Sequence, residues 1–427
     1  MPTPDTSAPP QSTVRTAFAG LIGNVLEWFD YAVFGYFTNE IGKNFFPSVD
    51  PTAQQLKAYA AFAIGFAARP IGSLVLGPVG DRIGRRALLT LSIAVMGGAT
   101  LAIGFLPTYA QVGVLAPVLL FAMRLIQGFS LGGEFTGSMV YTTELAKPWM
   151  RGLVSSSTAA GTTLGFILGS GSAALIGTLL DAQQKESWGW RVPFFVSVTL
   201  CIAGLLLRRG IRETEEGAKA ASRRTPLAQS LAADWRPMIQ TFGIVALTNA
   251  AYYLTFNFAG EYRKAHPTPD QPDFQWINTL MLFVVLIAKP LGGWLSDRVG
   301  RRRLMLVLTI AMMAVGYYAL RLMVAGSGGD FLLGQLIFGV PIGMALGLQG
   351  AMVVEIFPLR TRVTSMSLAY SVTLALAGGV APLVAKWLLD SLHLGVASVY
   401  YYTMVYGVIG VVILLSMRET NKLPLNE

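Results

Sequence analysis

Twelve apolar stretches of about 20 residues, set apart by short charged or Pro/Gly-rich breaks, constrain this chain more than any other feature. That length of helix crosses a hydrocarbon core of about 30 Å, and only a segment that closes its backbone hydrogen bonds internally is stable there. The stretches fall near 17–38, 57–79, 87–106, 112–135, 152–180, 191–209, 237–260, 274–295, 303–324, 330–354, 363–390 and 396–417. Only 13% of the 427 residues are charged and mean hydropathy is +0.54, values that exclude an ordinary soluble domain.

Two phrases occur twice. GPVGDRIGRR at 77–86 and GGWLSDRVGRRR at 292–303 both fit G-x-x-x-D-R-x-G-R-R, with Asp81 and Asp297 about half the chain apart. ELAKPWMR at 144–151 and EIFPLRTR at 355–362 each place a Glu seven residues before an Arg, with Pro between, at nearly the same offset. Two motifs repeated at one spacing indicate an internal duplication. The expected fold class is an all-α polytopic membrane protein, twelve transmembrane helices in two pseudo-symmetric six-helix bundles. The expected division is a disordered N-terminal tail over 1–16, one bundle over 17–209, a mixed-charge linker over 210–236, a second bundle over 237–417 and a tail over 418–427.

Most of the 32 Lys and Arg residues fall in segments that an even number of crossings leaves on one side, so both termini are expected to be cytoplasmic. That asymmetry accounts for the net charge of +9 without a nucleic-acid partner. The first residues lack a signal-peptide pattern, and the first span reads as retained. Cys201 is the only cysteine, which excludes an intramolecular disulfide and a thiolate metal cluster. His266 and His393 fall in or near external loops, leaving carboxylates as the expected proton carriers.

With the basic turns lying between spans 2 and 3 and again between spans 8 and 9, the region from about 16 to 418 resembles the major facilitator superfamily. RLIQGFSLGGE at 124–134 resembles that family's fourth-helix motif, and GTTLGFILG at 161–169 its glycine-repeated fifth helix. More narrowly, GNVLEWFDYAVFGYF in span 1, RPIG at 69–72 and WGWRVPFF at 188–195 are similar to the metabolite:proton symporters. The resemblance implies two six-helix domains that rock about a central site, with uptake driven by the proton gradient. It implies a multi-pass protein of a bacterial inner (plasma) membrane, expected as a monomer in the lipid bilayer.

Candidate site residues are the polar groups deep in the spans. Glu27 and Asp30 lie three apart on span 1, on one helical face near mid-membrane, where an unpaired carboxylate is costly. Each is a proton-coupling candidate, or else fixes helix packing through Arg124 or Arg69. Arg124 in span 4 suits a two-point grip on a carboxylate, whether of the solute or of a side chain. Arg69 reads as structural. Glu134, about 15 Å further along span 4, either passes a proton inward or pairs with the neighbouring basic turns. In the second half Asn249, Tyr252, Tyr253, Phe256 and Asn257 form a polar and aromatic face on span 7. Lys289 in span 8 either snorkels or anchors a second carboxylate. Tyr31, Gln127, Gln349 and Tyr370 are further candidates for lining a solute site, and Arg321 and Lys386 read as snorkelling. Paired off, Arg69, Arg124 and Lys289 balance Glu27, Asp30 and Glu134, so an anionic solute that takes one cation leaves an acid ready to accept a proton.

The duplicated turns read as a gate. Asp81 and Asp297 stand where they can accept hydrogen bonds from Arg groups or helix N-termini across the interface. Arg82, Arg85, Arg86, Glu144, Arg151, Arg298, Arg301, Arg302, Glu355 and Arg362 complete this set. Positive-inside anchoring explains the arginines but not an Asp at one position in both copies.

The leading function is proton-coupled symport of a small organic acid, a mono-, di- or tricarboxylate. The alternatives are uptake of a zwitterion such as proline or betaine, held by a cage of Tyr31, Tyr252, Tyr253 and Trp276, and export of a related metabolite. The chain has no His/Cys cluster, G-x-S-x-G elbow or Walker A loop. No enzymatic activity, cofactor or metal is expected. The expected partners are a carboxylate or zwitterion together with protons.

Overall fold

The computed structural model describes residues 13–83, 85–208, 231–266, 274–359, 361–421 and 425, without the side chains of 13–20, 22–23, 77–89 and 204–208. Most of the expected N-terminal tail and linker lies outside these residues. Among the described residues all regular structure is helical, in the order of twelve spans. Span 1 is Thr13–Tyr36, span 2 Pro51–Ile83 and span 3 Arg85–Phe105. Span 4 runs as Leu115–Ser130 and then Glu134–Glu144, span 5 is Arg151–Leu179 and span 6 Val192–Arg208. Span 7 is Trp235–Tyr253 continued through Ala259–Ala265, followed by span 8 (Phe274–Val299), span 9 (Arg301–Ala325) and span 10 (Gly328–Ile356). Span 11 starts at Arg362–Thr373 and continues through Ala381–Lys386, and span 12 is Val396–Ser416. Among the described residues eight of these spans, with 4 and 11 taken through their breaks, are long and apolar enough to cross a membrane.

Three spans depart from a plain helix at identifiable places. Gly133 has φ of +105°, a left-handed conformation open to glycine at little cost, and it divides span 4 immediately before Glu134. Span 7 loosens into a π-helix over Leu254–Phe258, and span 11 over Leu374–Gly379 and Trp387–Ser391. These wide turns turn backbone carbonyls outward, and the Thr255 and Phe256 carbonyls accept hydrogen bonds from Gln335 and Asn278.

Close packing depends on small residues. A Cβ on Gly161 would lie 2.2 Å from the Leu21 carbonyl oxygen, and one on Gly165 would lie 2.7 Å from the Phe29 nitrogen. Span 5 therefore lies directly on the backbone of span 1. Between the halves, span 5 packs along spans 8 and 10, and span 2 along span 11.

Candidate functional site

A cavity sits between the two halves, lined from spans 1, 4 and 5 by Trp28, Phe135, Met139, Ala159, Thr162 and Phe166. The opposite wall is Asn249, Tyr252 and Tyr253 of span 7, Lys289 of span 8, Leu346 and Gln349 of span 10 and Tyr370 of span 11. Its volume is about 20 Å³, room for little more than one water molecule, so the cavity is contracted.

Lys289 does not snorkel. Its side chain is 1% exposed, and its ammonium donates to the Ala159 carbonyl at 2.6 Å and the Thr162 hydroxyl at 2.9 Å. The ammonium also lies 5.6 Å from the Tyr252 ring centroid. Among the described residues no carboxylate lines the cavity, so a cation faces an aromatic and amide wall. An ammonium has three donors, and two are engaged by span 5.

The first-half charges arrange themselves differently from the expected balance. Glu27 forms a buried ion pair with Arg69, whose guanidinium also lies over the Trp28 and Tyr31 rings. Asp30 turns to span 3 and accepts a hydrogen bond from Thr100 at 2.5 Å. Gln127 donates to that same Thr100 hydroxyl at 2.6 Å and accepts from Arg124 at 3.0 Å. Arg124 thus reaches Asp30 through two side chains, not as a direct pair. Its other donors go to the Ala61 and Phe62 carbonyls, and Phe34 lies 4.2 Å beneath it. The pairing of all six deep charges is corrected accordingly: Arg69 takes Glu27, and Lys289 takes a carbonyl and a hydroxyl.

Of the solute-site candidates, the structure brings Asn249, Tyr252, Tyr253, Lys289, Gln349 and Tyr370 together around the cavity. It places Tyr31, Arg124 and Gln127 behind the lining, with the Tyr31 hydroxyl donating to the Gly65 carbonyl at 3.2 Å. The proposed Tyr31 and Trp276 walls of an aromatic cage are not assembled, since Trp276 is 45% exposed. Lys386 is likewise buried and paired with Asp390, which replaces its snorkelling assignment.

The halves meet on both sides of the cavity. At the end carrying the repeated motifs, Asp297 accepts from the Gly152 and Leu153 backbone N–H groups, each at 2.9 Å. These are orphan donors at the start of span 5, and a carboxylate there is favoured by the helix dipole. Arg301 holds Asp297 at 2.8 Å and Glu355 at 3.2 Å. Glu144 of the first half pairs with Arg362 of the second at 2.6 Å. Thr136 bonds Ser367 at 2.6 Å and Ser73 bonds Ser371 at 3.2 Å. Arg151 is buried in this region, beside Glu355. Arg298 instead stacks on Trp294 of its own helix, and Arg302 donates to the Leu414 and Leu415 carbonyls at the end of span 12. The side chains of Asp81, Arg82, Arg85 and Arg86 lie outside the described residues. Glu134 is buried at the start of the second segment of span 4.

The opposite end contains residues that the sequence reading missed. Glu261, fully buried in the outer part of span 7, accepts from Asn39 at 2.9 Å across the seam, from Gln275 at 2.8 Å and from Lys264 at 2.7 Å. Asn278 donates to the Tyr36 hydroxyl at 3.0 Å and the Ser170 hydroxyl at 3.1 Å, and Ser170 meets Thr279 at 2.7 Å. Contacts between the halves thus close both ends, leaving the cavity occluded.

The sequence matches a family model described as Sugar (and other) transporter over residues 16–225 and the Major Facilitator Superfamily model over 240–426. It is 33% identical over 420 residues to a proline/betaine transporter of Salmonella typhimurium, covering 95% of this chain and 84% of that one. It is 35% identical over 407 residues to an inner membrane metabolite transport protein of Escherichia coli, covering 93% and 92%. A citrate-proton symporter of Klebsiella pneumoniae is 32% identical over 374 residues, covering 86% and 84%. The fold superposes on the proton:xylose symporter bound to 6-bromo-6-deoxy-D-glucose with a TM-score of 0.74 at 19% identity, covering 97% of this chain and 98% of that chain. The twelve-span, two-bundle architecture, the duplicated turns and these relatives lead to one assignment: the chain is a multi-pass membrane transporter belonging to the major facilitator superfamily.

Proposed function

We propose that the protein is a proton-coupled symporter of a small solute bearing a carboxylate, working by alternating access across a bacterial inner membrane as a monomer. The observation that carries the reading is Lys289, a buried cation on the cavity wall with no carboxylate among the lining residues. One cation on a contracted, largely aromatic cavity suits one carboxylate, and favours a monoanion or zwitterion over a tricarboxylate. Organic-acid uptake is supported by the relative named a citrate-proton symporter.

The proton has three candidate acceptors, Glu27, Asp30 and Glu134. Asp30 is the strongest of them, because Glu27 already has Arg69 as a direct partner while Asp30 has neutral Thr100. Its link to Arg124 through Thr100 and Gln127 connects the acid to the packing of spans 2, 3 and 4. In this account a proton on Asp30 offsets the charge of the bound anion, and the halves then rock as one loaded unit. Seams built of hydrogen bonds and ion pairs can reform at each end in turn. The end with the basic turns faces the cytoplasm, which puts both termini there.

A zwitterionic solute is the second reading. Trp28, Phe135, Phe166, Tyr252, Tyr253 and Tyr370 give the cavity an aromatic wall for an ammonium group, and relatives are named proline/betaine transporters. Isothermal titration of the purified protein with 2-hydroxypropionate and with proline separates the two readings. Lys289→Met is expected to weaken binding of whichever solute binds by about 10- to 100-fold, the worth of a charge-assisted hydrogen bond. Unchanged affinity in Lys289→Met would refute the carboxylate anchor.

A further inference from the structure

We infer that the transported solute carries a hydrogen-bond donor, an O–H or N–H, besides its carboxylate, and that Gln349 is the residue that reads it. The inference rests on the Lys289 carboxylate site and specifies which carboxylates fit it.

Two polar groups on the cavity wall are already engaged by the protein. Thr162 donates to the Ala159 carbonyl and accepts from Lys289. Asn249 donates to the Val245 carbonyl at 2.9 Å.

Gln349 is different. Its side chain is 1% exposed, it lines the cavity, and neither its Nε2 nor its Oε1 has a hydrogen-bond partner among the described residues. The Tyr252 and Tyr253 hydroxyls on the same wall and the Trp28 indole N–H on the opposite one, all buried, also lack one. A buried amide with both ends unpaired is expensive, and a binding site is one setting in which such a group is retained.

The chemistry of these groups limits the ligand. The remaining Lys289 donor, the Trp28 N–H and the Gln349 NH₂ all give hydrogen bonds, so they are served by the oxygens of a carboxylate. Gln349 Oε1 only accepts. An alkanoate or a trimethylated betaine offers nothing to donate, and so gives that oxygen no partner from the solute. A 2-hydroxy acid, or an amino or imino acid retaining an N–H, supplies the missing donor a few bonds from its carboxylate. Sites built around such a group discriminate strongly against the analogue lacking it.

Two ligand pairs that differ mainly in this donor test the inference on the full-length protein by isothermal titration. They are 2-hydroxypropionate against propionate, and N,N-dimethylglycine, which has an N–H, against trimethylglycine. In at least one pair the donor-bearing member is expected to bind at least about 10-fold more tightly. Gln349→Leu is expected to shrink that gap to within about 3-fold mainly by weakening the donor-bearing member, and Gln349→Met guards against a folding defect peculiar to one variant. The pair that responds distinguishes a hydroxy acid from an ammonium zwitterion. Equal affinities within both pairs, or a gap that survives in Gln349→Leu and Gln349→Met, would overturn the inference while leaving the Lys289 site standing. Binding that persists in Lys289→Met, or no binding by any of the four compounds, would overturn the carboxylate reading and this inference with it.

Discussion

Glu144 and Arg362 join the two halves by a carboxylate-guanidinium contact of 2.6 Å, although each belongs to a different copy of the same duplicated phrase. The Glu that opens the first copy takes the Arg that ends the second. Duplication therefore supplied two complementary half-sites, and in the proposed account their contact holds the motif end closed. Arg362 is pinned from its own half by the Phe357 carbonyl and by the Leu425 carbonyl, which fixes its direction across the seam.

Because Glu144 is partly exposed, its pair with Arg362 is worth about 1 kcal/mol, a shift of about 5-fold between closed and open states. Glu144→Gln is expected to open the motif end by that factor. The measurement is alkylation of Ala159→Cys in a Cys201→Ser background by a membrane-impermeant maleimide added from the motif side. Faster labelling is expected. An unchanged labelling rate would remove this contact from the gate.

At the same seam, a Cβ on Gly152 would stand 2.4 Å from the Gly293 carbonyl oxygen, while Asp297 binds the Gly152 N–H at 2.9 Å. Gly152→Val is expected to prevent closure, and Asp297→Asn to weaken it by about 1 to 3 kcal/mol. Both variants are expected to slow net uptake more than they weaken solute binding. Comparing transport rate with titrated affinity checks this, and lost affinity at intact turnover contradicts a gating role.

Span 5 carries an internal control for packing. A Cβ on Gly165 would meet the span 1 backbone at 2.7 Å, whereas one on Gly177 meets nothing within 4 Å. Gly165→Leu is expected to cost about 1 to 3 kcal/mol by overpacking, and to lower the thermal midpoint measurably. Gly177→Leu is expected to leave it unchanged. Equal midpoints for the two variants would show that span 1 does not depend on the glycine face.

The architecture was legible because span length and a repeated motif are one-dimensional signals. Site detail was less so, for reasons visible in particular residues. Glu27 and Asp30 are three apart and share a broad helical face, yet that face divides between spans 2 and 3, so the two acids meet Arg69 and Thr100 respectively. Periodicity gives the face but not its neighbours. Lys289 was recognisable as a deep cation, while its partners on span 5 are carbonyl and hydroxyl groups that no charge tally counts. Glu261 was missed because it falls one residue beyond the apolar stretch that ended near 260, whereas the helix runs through a π-helical segment to Ala265. The residues facing it, Asn39 and Gln275, have no spacing that announces them.

The central claim is that solute movement and proton movement are one event, and proteoliposomes with an imposed pH gradient test it most directly. With equal labelled 2-hydroxypropionate or proline on both sides, an alkaline interior is expected to drive accumulation in the native protein. Asp30→Asn is expected to retain solute counterflow but lose gradient-driven accumulation. If the native protein moves solute at the same rate and to the same level when the pH gradient is collapsed, proton coupling is contradicted.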